Sequence, residues 1–344
     1  MDVVLDLYET FIGDHIFALL HPAQVTAHDA ISAQGGGEWT PNPSSGQAIR
    51  CDYQPATKYF SVTPSPALCM SAWPRENIYR QGINLFLMFW TFGLVVYFVF
   101  SSLSFVFVYD KQMMRHPKYL KDQVSLEIKQ ACSAMPGIAF LSVPLVLLGV
   151  RGHSKMYDTT DDGPGLWYDI LQFPLFILFT DSCTYWIHRA LHQSFIYKNV
   201  HKCHHRFIIP TPYASLAFHP LEGFAMSLPY HIFGFIFPFQ KLAYLFFFMF
   251  INIWILFVHD GEYLISNPVI NGAACHTIHH HYFNFNYGQY TTLWDRLCGS
   301  YRKPPDELFQ KRQARKASEW KKQTEDKTED LDCTVRSTNA GKGV

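Results

Sequence analysis

The sequence predicts an all-α integral membrane protein, a bundle of transmembrane helices with a histidine-rich cap that holds two metal ions on the cytosolic side. Long apolar runs, a low content of charge and the clustering of histidine predict this fold. Only 16% of the 344 residues are charged, whereas soluble domains have about 25%. Of the 17 histidines, 12 lie between residues 188 and 281. The chain therefore combines lipid-spanning segments with a concentrated set of metal-binding side chains.

The first segment, residues 1–80, is predicted to be partly disordered. It contains the polar stretch SAQGGGEWTPNPSSGQ, whose composition indicates loop or disorder. The opening MDVVLDLYETFIGDHIFALL is amphipathic, and it lacks the basic start and the small-residue cleavage site of a secretory signal. We expect it to be retained and to lie on the membrane surface.

The second segment, residues 81–163, is predicted to hold transmembrane helices. Residues 82–109 carry no charge, and residues 131–150 form a second uncharged run. Both are long enough to cross a bilayer core, which takes about 20 residues. A third run, residues 165–187, contains two aspartates and leads directly into the first histidine cluster.

A hairpin of two helices is predicted over residues 223–258, because this apolar run is too long for one helix and Pro238 and Lys241 mark a turn. All histidine clusters then lie on one side of the membrane. The 110–130 loop holds five lysines and arginines and the 151–162 loop holds two. By the positive-inside rule the first of these loops is cytosolic. Counting spans from it places the histidines in the cytosol and the first segment in the lumen.

The third segment, residues 164–305, contains the clusters HRALH, HKCHH and HTIHH. Histidines at i, i+3 and i+4 share one face of a helix. Eight imidazoles directed at one place suit a pair of first-row transition metals, and ligand type alone leaves iron, copper, nickel and zinc open. The cluster residues are His188, His192, His201, His204, His205, His276, His279 and His280.

The last segment, residues 306–344, alternates acidic and basic residues and is predicted to be a charged cytosolic tail. A net charge of zero without a large basic surface argues against nucleic acid as a partner. A membrane metal transporter or a haem protein is a remote alternative. A transporter should carry ionisable ligands at mid-membrane depth, whereas these histidines gather at one face.

The order of the three clusters, with a hydrophobic hairpin between the second and the third, resembles the membrane fatty acid hydroxylase and sterol desaturase superfamily. Longer strings are similar to sterol C-5 desaturases (lathosterol oxidases) of the fungal ergosterol-pathway type. These strings are YWIHRALH, YKNVHKCHH, PTPYASLAFHP and NPVINGAACHTIHHHYFNFNYGQYTTLWDRL. The resemblance covers the third segment, residues 164–305, and implies that this segment is the catalytic domain. It leaves out the first 80 residues and the tail.

This resemblance implies a non-haem di-iron enzyme, an oxidoreductase in the endoplasmic reticulum membrane with several spans and an active site facing the cytosol. It would use dioxygen and electrons from NAD(P)H, delivered by cytochrome b5 and its reductase, to introduce the C5=C6 double bond into a Δ7-sterol similar to episterol. The haem-binding string HPGG is absent from the sequence, so the cytochrome is expected as a separate partner. A sterol or fatty acid hydroxylase, or a C-4 methyl oxidase, of the same superfamily remains open.

The resemblance also implies which residues bind metal and take part in catalysis. By motif position these are the eight histidines of the three clusters. Related folds use further histidines, and His259 and His219 are the best placed, His259 because it ends the hairpin at the same membrane face. Asp181 and Asp260 are candidates to orient the imidazoles through hydrogen bonds.

Overall fold

The computed structural model describes residues 2–23, 53, 55–261, 263 and 267–306. These residues are mostly helical and include a sheet of two strands. The predicted all-α fold class is therefore confirmed. The polar stretch predicted to be loop and nearly the whole tail lie outside the described residues. The division into four consecutive segments remains a prediction.

The helices and strands that build the fold are, in chain order, α1 (Asp2–Tyr8, continuing through Glu9–Gly13 and Asp14–Leu20), α2 (Ile78–Phe107), α3 (Gln123–Leu148), β1 (Met156–Tyr157), α4 (Leu166–Leu191), α5 (Ser194–Ile196, continuing through Tyr197–His201), α6 (Pro220–Ile236), β2 (Phe239–Gln240), α7 (Lys241–Val258), α8 (Ala273–Tyr282) and α9 (Leu293–Leu297). The longest helices of the fold are α2, α3 and α4, and both strands have two residues. Among the described residues, four helices are long and apolar enough to cross a membrane, namely α2, α3, α4 and α7. The 17-residue α6 precedes α7, from which the short strand β2 separates it. That the two helices form a membrane hairpin remains a prediction.

The helices of two predicted spans begin earlier than the sequence predicted, and each contains near its start a charged residue that is buried with hydrogen-bond partners. α2 begins at Ile78 and α3 at Gln123. Arg80 in α2 is fully buried, and its guanidinium donates to Glu9 Oε2 at 3.1 Å. Glu127 in α3 is also fully buried, and it accepts a hydrogen bond of 2.7 Å from the Gln123 side chain. A buried charge is tolerated when its partners are buried with it.

The described chain packs as two compact units, each assembled from separate stretches of sequence. Unit 1 comprises Met1–Phe92, Ala139–Phe173 and His231–Phe247, and unit 2 comprises Gly93–Ile138, Pro174–Tyr230 and Phe248–Val344.

In unit 1, three connections of the chain meet. The Lys155 N–H donates to the Gly234 carbonyl at 2.7 Å, and β1 pairs with β2 in parallel. The Thr57 hydroxyl donates to Asp158 Oδ1 at 2.8 Å. The segment before α2, the α3–α4 connection and the α6–α7 turn therefore lie together.

The helix α1 turns its acidic side inward. Glu9 and Asp14 are both buried and both accept hydrogen bonds from the Arg80 guanidinium, which donates to Asp14 Oδ1 at 2.6 Å. The opposite side is apolar and open, with Phe11 67% and Leu19 83% exposed. Contact with lipid would cover such a face. The position of α1 on the membrane surface remains a prediction.

Unit 2 holds the histidine clusters, and buried contacts fix the chain after the second cluster. The Thr211 hydroxyl donates to the buried Glu127 carboxylate, and the Thr211 N–H donates to the same group at 3.2 Å. A Cβ on Gly137 would lie 2.7 Å from Cβ of Pro220, so the glycine lets α3 approach the start of α6. The loop between α5 and α6 is thereby held at its middle, at Thr211, and at its end, at Pro220.

Candidate metal centre

Each histidine of the centre is carried by the end of a helix, by the turn that follows it, or by α8. His188 lies in the last turn of α4 and His192 follows that helix. His201 is the last residue of α5, and His204 and His205 lie in the turns after it. The remaining four, which directly follow α7 or lie on α8, are His259, His276, His279 and His280.

These nine histidines form two groups, both in unit 2. The first group has five members and the second has four, and within each group one ring nitrogen from each histidine lies within 4.8 Å of those of the others. We call them the five-histidine group (His188, His192, His201, His205 and His279) and the four-histidine group (His204, His259, His276 and His280). All are buried except His192, which is half-buried. The second and third sequence clusters each contribute to both groups, because the adjacent residues His204 and His205, and likewise His279 and His280, join different groups.

In the five-histidine group the Nε2 atoms converge. The Nε2 atom of His201 lies 2.9 Å from that of His192 and 2.9 Å from that of His205. The Nε2 atom of His205 lies 3.1 Å from that of His279. On the far side of the ring, Nδ1 of His279 donates to the Phe285 carbonyl at 2.8 Å. A carbonyl only accepts, so Nδ1 carries the ring proton and Nε2 presents a lone pair.

The four-histidine group is built in the same way. The Nε2 atom of His276 lies 2.9 Å from that of His259 and 3.1 Å from that of His280. The His259 Nε2 atom lies 3.5 Å from that of His204. Nδ1 of His259 donates to the Ile255 carbonyl, one helical turn earlier, at 2.7 Å. The lone pair of His259 is thereby also directed at its neighbours.

This arrangement fits two metal ions. Lone pairs that face one another at such short distances repel each other unless a cation lies between them. Two nitrogen ligands at right angles, each about 2.1 Å from an ion, are about 3.0 Å apart, which is close to most of the separations given above. An all-nitrogen donor set suits a first-row transition metal and does not select one of them.

Burial keeps the imidazoles neutral, as metal binding requires. Burial lowers the pKa of His259 to about 4. It lowers the pKa of His192 to about 2, and repulsion from the neighbouring His188 adds to the effect. The pKa values of His204 and His279 also lie well below the usual range, again because of burial first and neighbouring imidazoles second. No proton therefore competes for these nitrogens near neutral pH.

The structure brings together all eight histidines of the sequence clusters and adds His259 to them. It does not bring His219 to either group, as far as the described residues show. Nδ1 of His219 instead accepts a hydrogen bond of 3.2 Å from the Leu221 N–H at the start of α6. The assignment of the nine as metal ligands, and of the eight as catalytic residues, remains a prediction.

The two aspartates predicted to orient imidazoles have different surroundings. Asp181 is buried and accepts hydrogen bonds from the Tyr290 N–H at 2.7 Å and the Thr291 hydroxyl at 2.5 Å. It thus holds the loop between α8 and α9. Asp260 is buried directly after His259 in the chain, and its orienting role remains a prediction.

Sequence reasoning missed Glu222, a carboxylate that contacts an imidazole of the centre. Its Oε1 atom accepts a hydrogen bond of 2.8 Å from Nδ1 of His201. A signal was present, because Glu222 is the only acidic or basic residue, histidine aside, between Arg206 and Lys241. A lone carboxylate at the start of an apolar helix is costly to bury, which indicates a function.

Comparisons with known proteins identify a family and several relatives of this chain. The fatty acid hydroxylase family model matches residues 173–300. The chain is 55% identical to a probable Delta(7)-sterol 5(6)-desaturase of Neurospora crassa, over 94% of this chain and 92% of that protein. It is 51% identical to a Delta(7)-sterol 5(6)-desaturase of Aspergillus fumigatus, over 95% and 93% of the two chains. The chain is 48% identical to a Delta(7)-sterol 5(6)-desaturase of Candida albicans, over 94% of each chain. No solved structure matches significantly.

Proposed function

Since this chain belongs to the Delta(7)-sterol 5(6)-desaturase family of oxidoreductases, we propose that it introduces the C5=C6 double bond into a Δ7-sterol, similar to episterol, in ergosterol biosynthesis. The observation that carries the proposal is the pair of histidine groups, nine buried or half-buried imidazoles in two sets beside membrane-spanning helices. A centre of this kind, placed at a membrane, suits oxidation of an apolar substrate.

We propose iron as the metal, with one ion in each group. The hydrogens to be removed lie on ring carbons that lack an acidic or polar neighbour, so their removal requires a strong oxidant. Bound iron would supply activation of dioxygen. The protein's part is to hold the ions through Nε2 atoms, to fix each ring through its Nδ1 partner, and to exclude water by burial.

The proposed reaction balances with dioxygen and two external electrons. The sterol loses two hydrogen atoms, and dioxygen takes up these, two electrons and two protons to give two molecules of water. We propose that the electrons come from NAD(P)H through cytochrome b5 and its reductase. Lys198, Lys202 and Arg206 are exposed on the segment that carries the second histidine cluster, and they offer basic groups for an acidic partner.

We propose that the protein lies in the endoplasmic reticulum membrane with the histidine groups facing the cytosol. The basic 110–130 loop supports this orientation. The disulfide bond of Cys69, in the segment before α2, also supports it, because disulfides persist in the oxidising lumen and are rare in the cytosol. The span count then returns the histidines to the cytosolic face.

The function is tested by the sterol content of a fungal strain that lacks its own enzyme and expresses this chain. Conversion of accumulated Δ7-sterols into 5,7-dienes is expected for the unaltered chain. His204→Ala and His279→Ala should abolish conversion while membrane insertion is unchanged, since both residues lie outside the apolar spans. A hydroxylated sterol as the stable product, or full activity in either variant, would contradict the proposal.

The orientation is tested with single cysteines introduced into the loops of sealed microsomes. A membrane-impermeant thiol reagent added from the cytosolic side should label the 110–130 loop and leave the 151–162 loop unlabelled until the membrane is permeabilised. Equal labelling of both loops from one side would refute the span assignment.

A further inference from the structure

Glu222 stands in the first turn of α6 and makes the contact to His201 described above. The side chains of both residues are 1% exposed, so water does not compete for this hydrogen bond. The second carboxylate oxygen, Oε2, is buried and has no hydrogen-bond partner among the described residues. Glu222 therefore brings a buried carboxylate to the centre, with one oxygen on an imidazole.

The other ring partners in the centre are different in kind. Nδ1 of His188 donates to the Tyr287 carbonyl at 3.0 Å, and His279 and His259 also donate to backbone carbonyls. A carbonyl fixes the direction of a ring but carries no net charge. A carboxylate fixes the direction and also raises the electron density on the opposite nitrogen, which strengthens that nitrogen as a metal ligand.

The burial of Glu222 is unfavourable in the absence of a cation. A buried carboxylate needs an opposite charge close by, and a neutral imidazole does not provide one. A divalent cation bound to Nε2 of His201 would provide it across the ring. The geometry thus places a negative charge beside the five-histidine group. In the four-histidine group, the described partner of the His259 ring is the Ile255 carbonyl, which carries no net charge.

We propose that Glu222 is a positioning residue that orients His201 and strengthens metal binding in the five-histidine group. The inference rests on the proposed two-metal centre. It predicts that the two ions are not equivalent. Loss of the Glu222 charge weakens the retention of one ion and leaves the other nearly unchanged.

The experiment compares the purified full-length protein with Glu222→Gln, which keeps the shape and an accepting oxygen but removes the charge. Iron released per chain is measured during titration with a chelator. The unaltered protein is expected to release two ions. In the variant, one of the two should leave at a chelator concentration about 10–100-fold lower, the usual effect of losing a partner of a ligating histidine.

A matched control is Glu127→Gln, which also neutralises a fully buried carboxylate in unit 2. Glu127 is bonded to Gln123 and Thr211 instead of an imidazole, so its loss should lower thermal stability without moving either step of iron release. Glu222→Asp, which retains the charge on a shorter side chain, should restore part of the lost retention.

Several outcomes would overturn the role of Glu222. These are release curves that coincide for Glu222→Gln and the unaltered protein, both steps shifted equally, or the same shift in Glu127→Gln. An unaltered protein that holds fewer than two ions would count against the two-metal centre itself. The two failures are therefore distinguishable.

Discussion

The substitutions His259→Ala and His219→Ala together test the ligand assignment of the structure against that of the sequence. Both histidines were predicted as additional ligands, and both follow or precede an apolar helix. The structure places His259 in the four-histidine group and leaves His219 outside both groups. Loss of His259 should therefore impair metal binding, and loss of His219 should not.

The size of the effect follows from the number of ligands. Structural sites with four ligands bind zinc with about 10–16 kcal/mol, so one of four ligands contributes roughly 2.5–4 kcal/mol. Since about 1.4 kcal/mol corresponds to a factor of ten, His259→Ala should weaken metal binding in its group by about 10²–10³-fold. Iron binds nitrogen ligands less tightly than zinc, which favours the lower end of this range.

Metal content after dialysis against a chelator, together with diene formation in the strain that lacks its own enzyme, measures the effect. His259→Ala should retain about half the iron and lose most activity. His219→Ala should match the unaltered protein in both measurements. Equal loss in the two variants, or full retention in His259→Ala, would refute the reasoning from the two groups.

Two further predictions concern stability and pH. Arg80→Met should destabilise the fold by about 3–5 kcal/mol, because it leaves the carboxylates of Glu9 and Asp14 buried without their partner. The measurement is the thermal midpoint of unfolding, which should fall in this variant. Neutralising both acids as well should recover most of the lost stability. Burial lowers the pKa of His259 to about 4 and of His192 to about 2, so iron should stay bound at pH 6 and be released only as the pH falls towards these values. The metal-free protein should lose stability as the pH falls below 6.5, the ordinary histidine value, because only the unfolded chain takes up protons there. Iron release with a midpoint near 6.5, or a metal-free protein equally stable at pH 7 and 5, would contradict this reasoning.

The sequence by itself determined the fold class, the approximate spans and the eight clustered histidines. These features are local. The length of a span and the helical spacing of a cluster depend on consecutive residues alone, and an uncharged apolar run of about 20 residues is typical of a membrane-spanning helix. The starts of α2 and α3 were placed too late, because Arg80 and Glu127 carry charges whose partners lie far away in the chain.

Only the tertiary structure decided how the histidines divide between two groups. HKCHH is one cluster in the sequence, yet His204 joins the four-histidine group while His201 and His205 join the other. The structure also decided that His259 belongs to a group and His219 does not. Likewise it placed Glu222 on an imidazole of the centre and Asp181 on the loop between α8 and α9. In each case the deciding quantity is a distance between side chains on different helices, and such distances depend on how the helices pack rather than on the spacing of residues along any one of them.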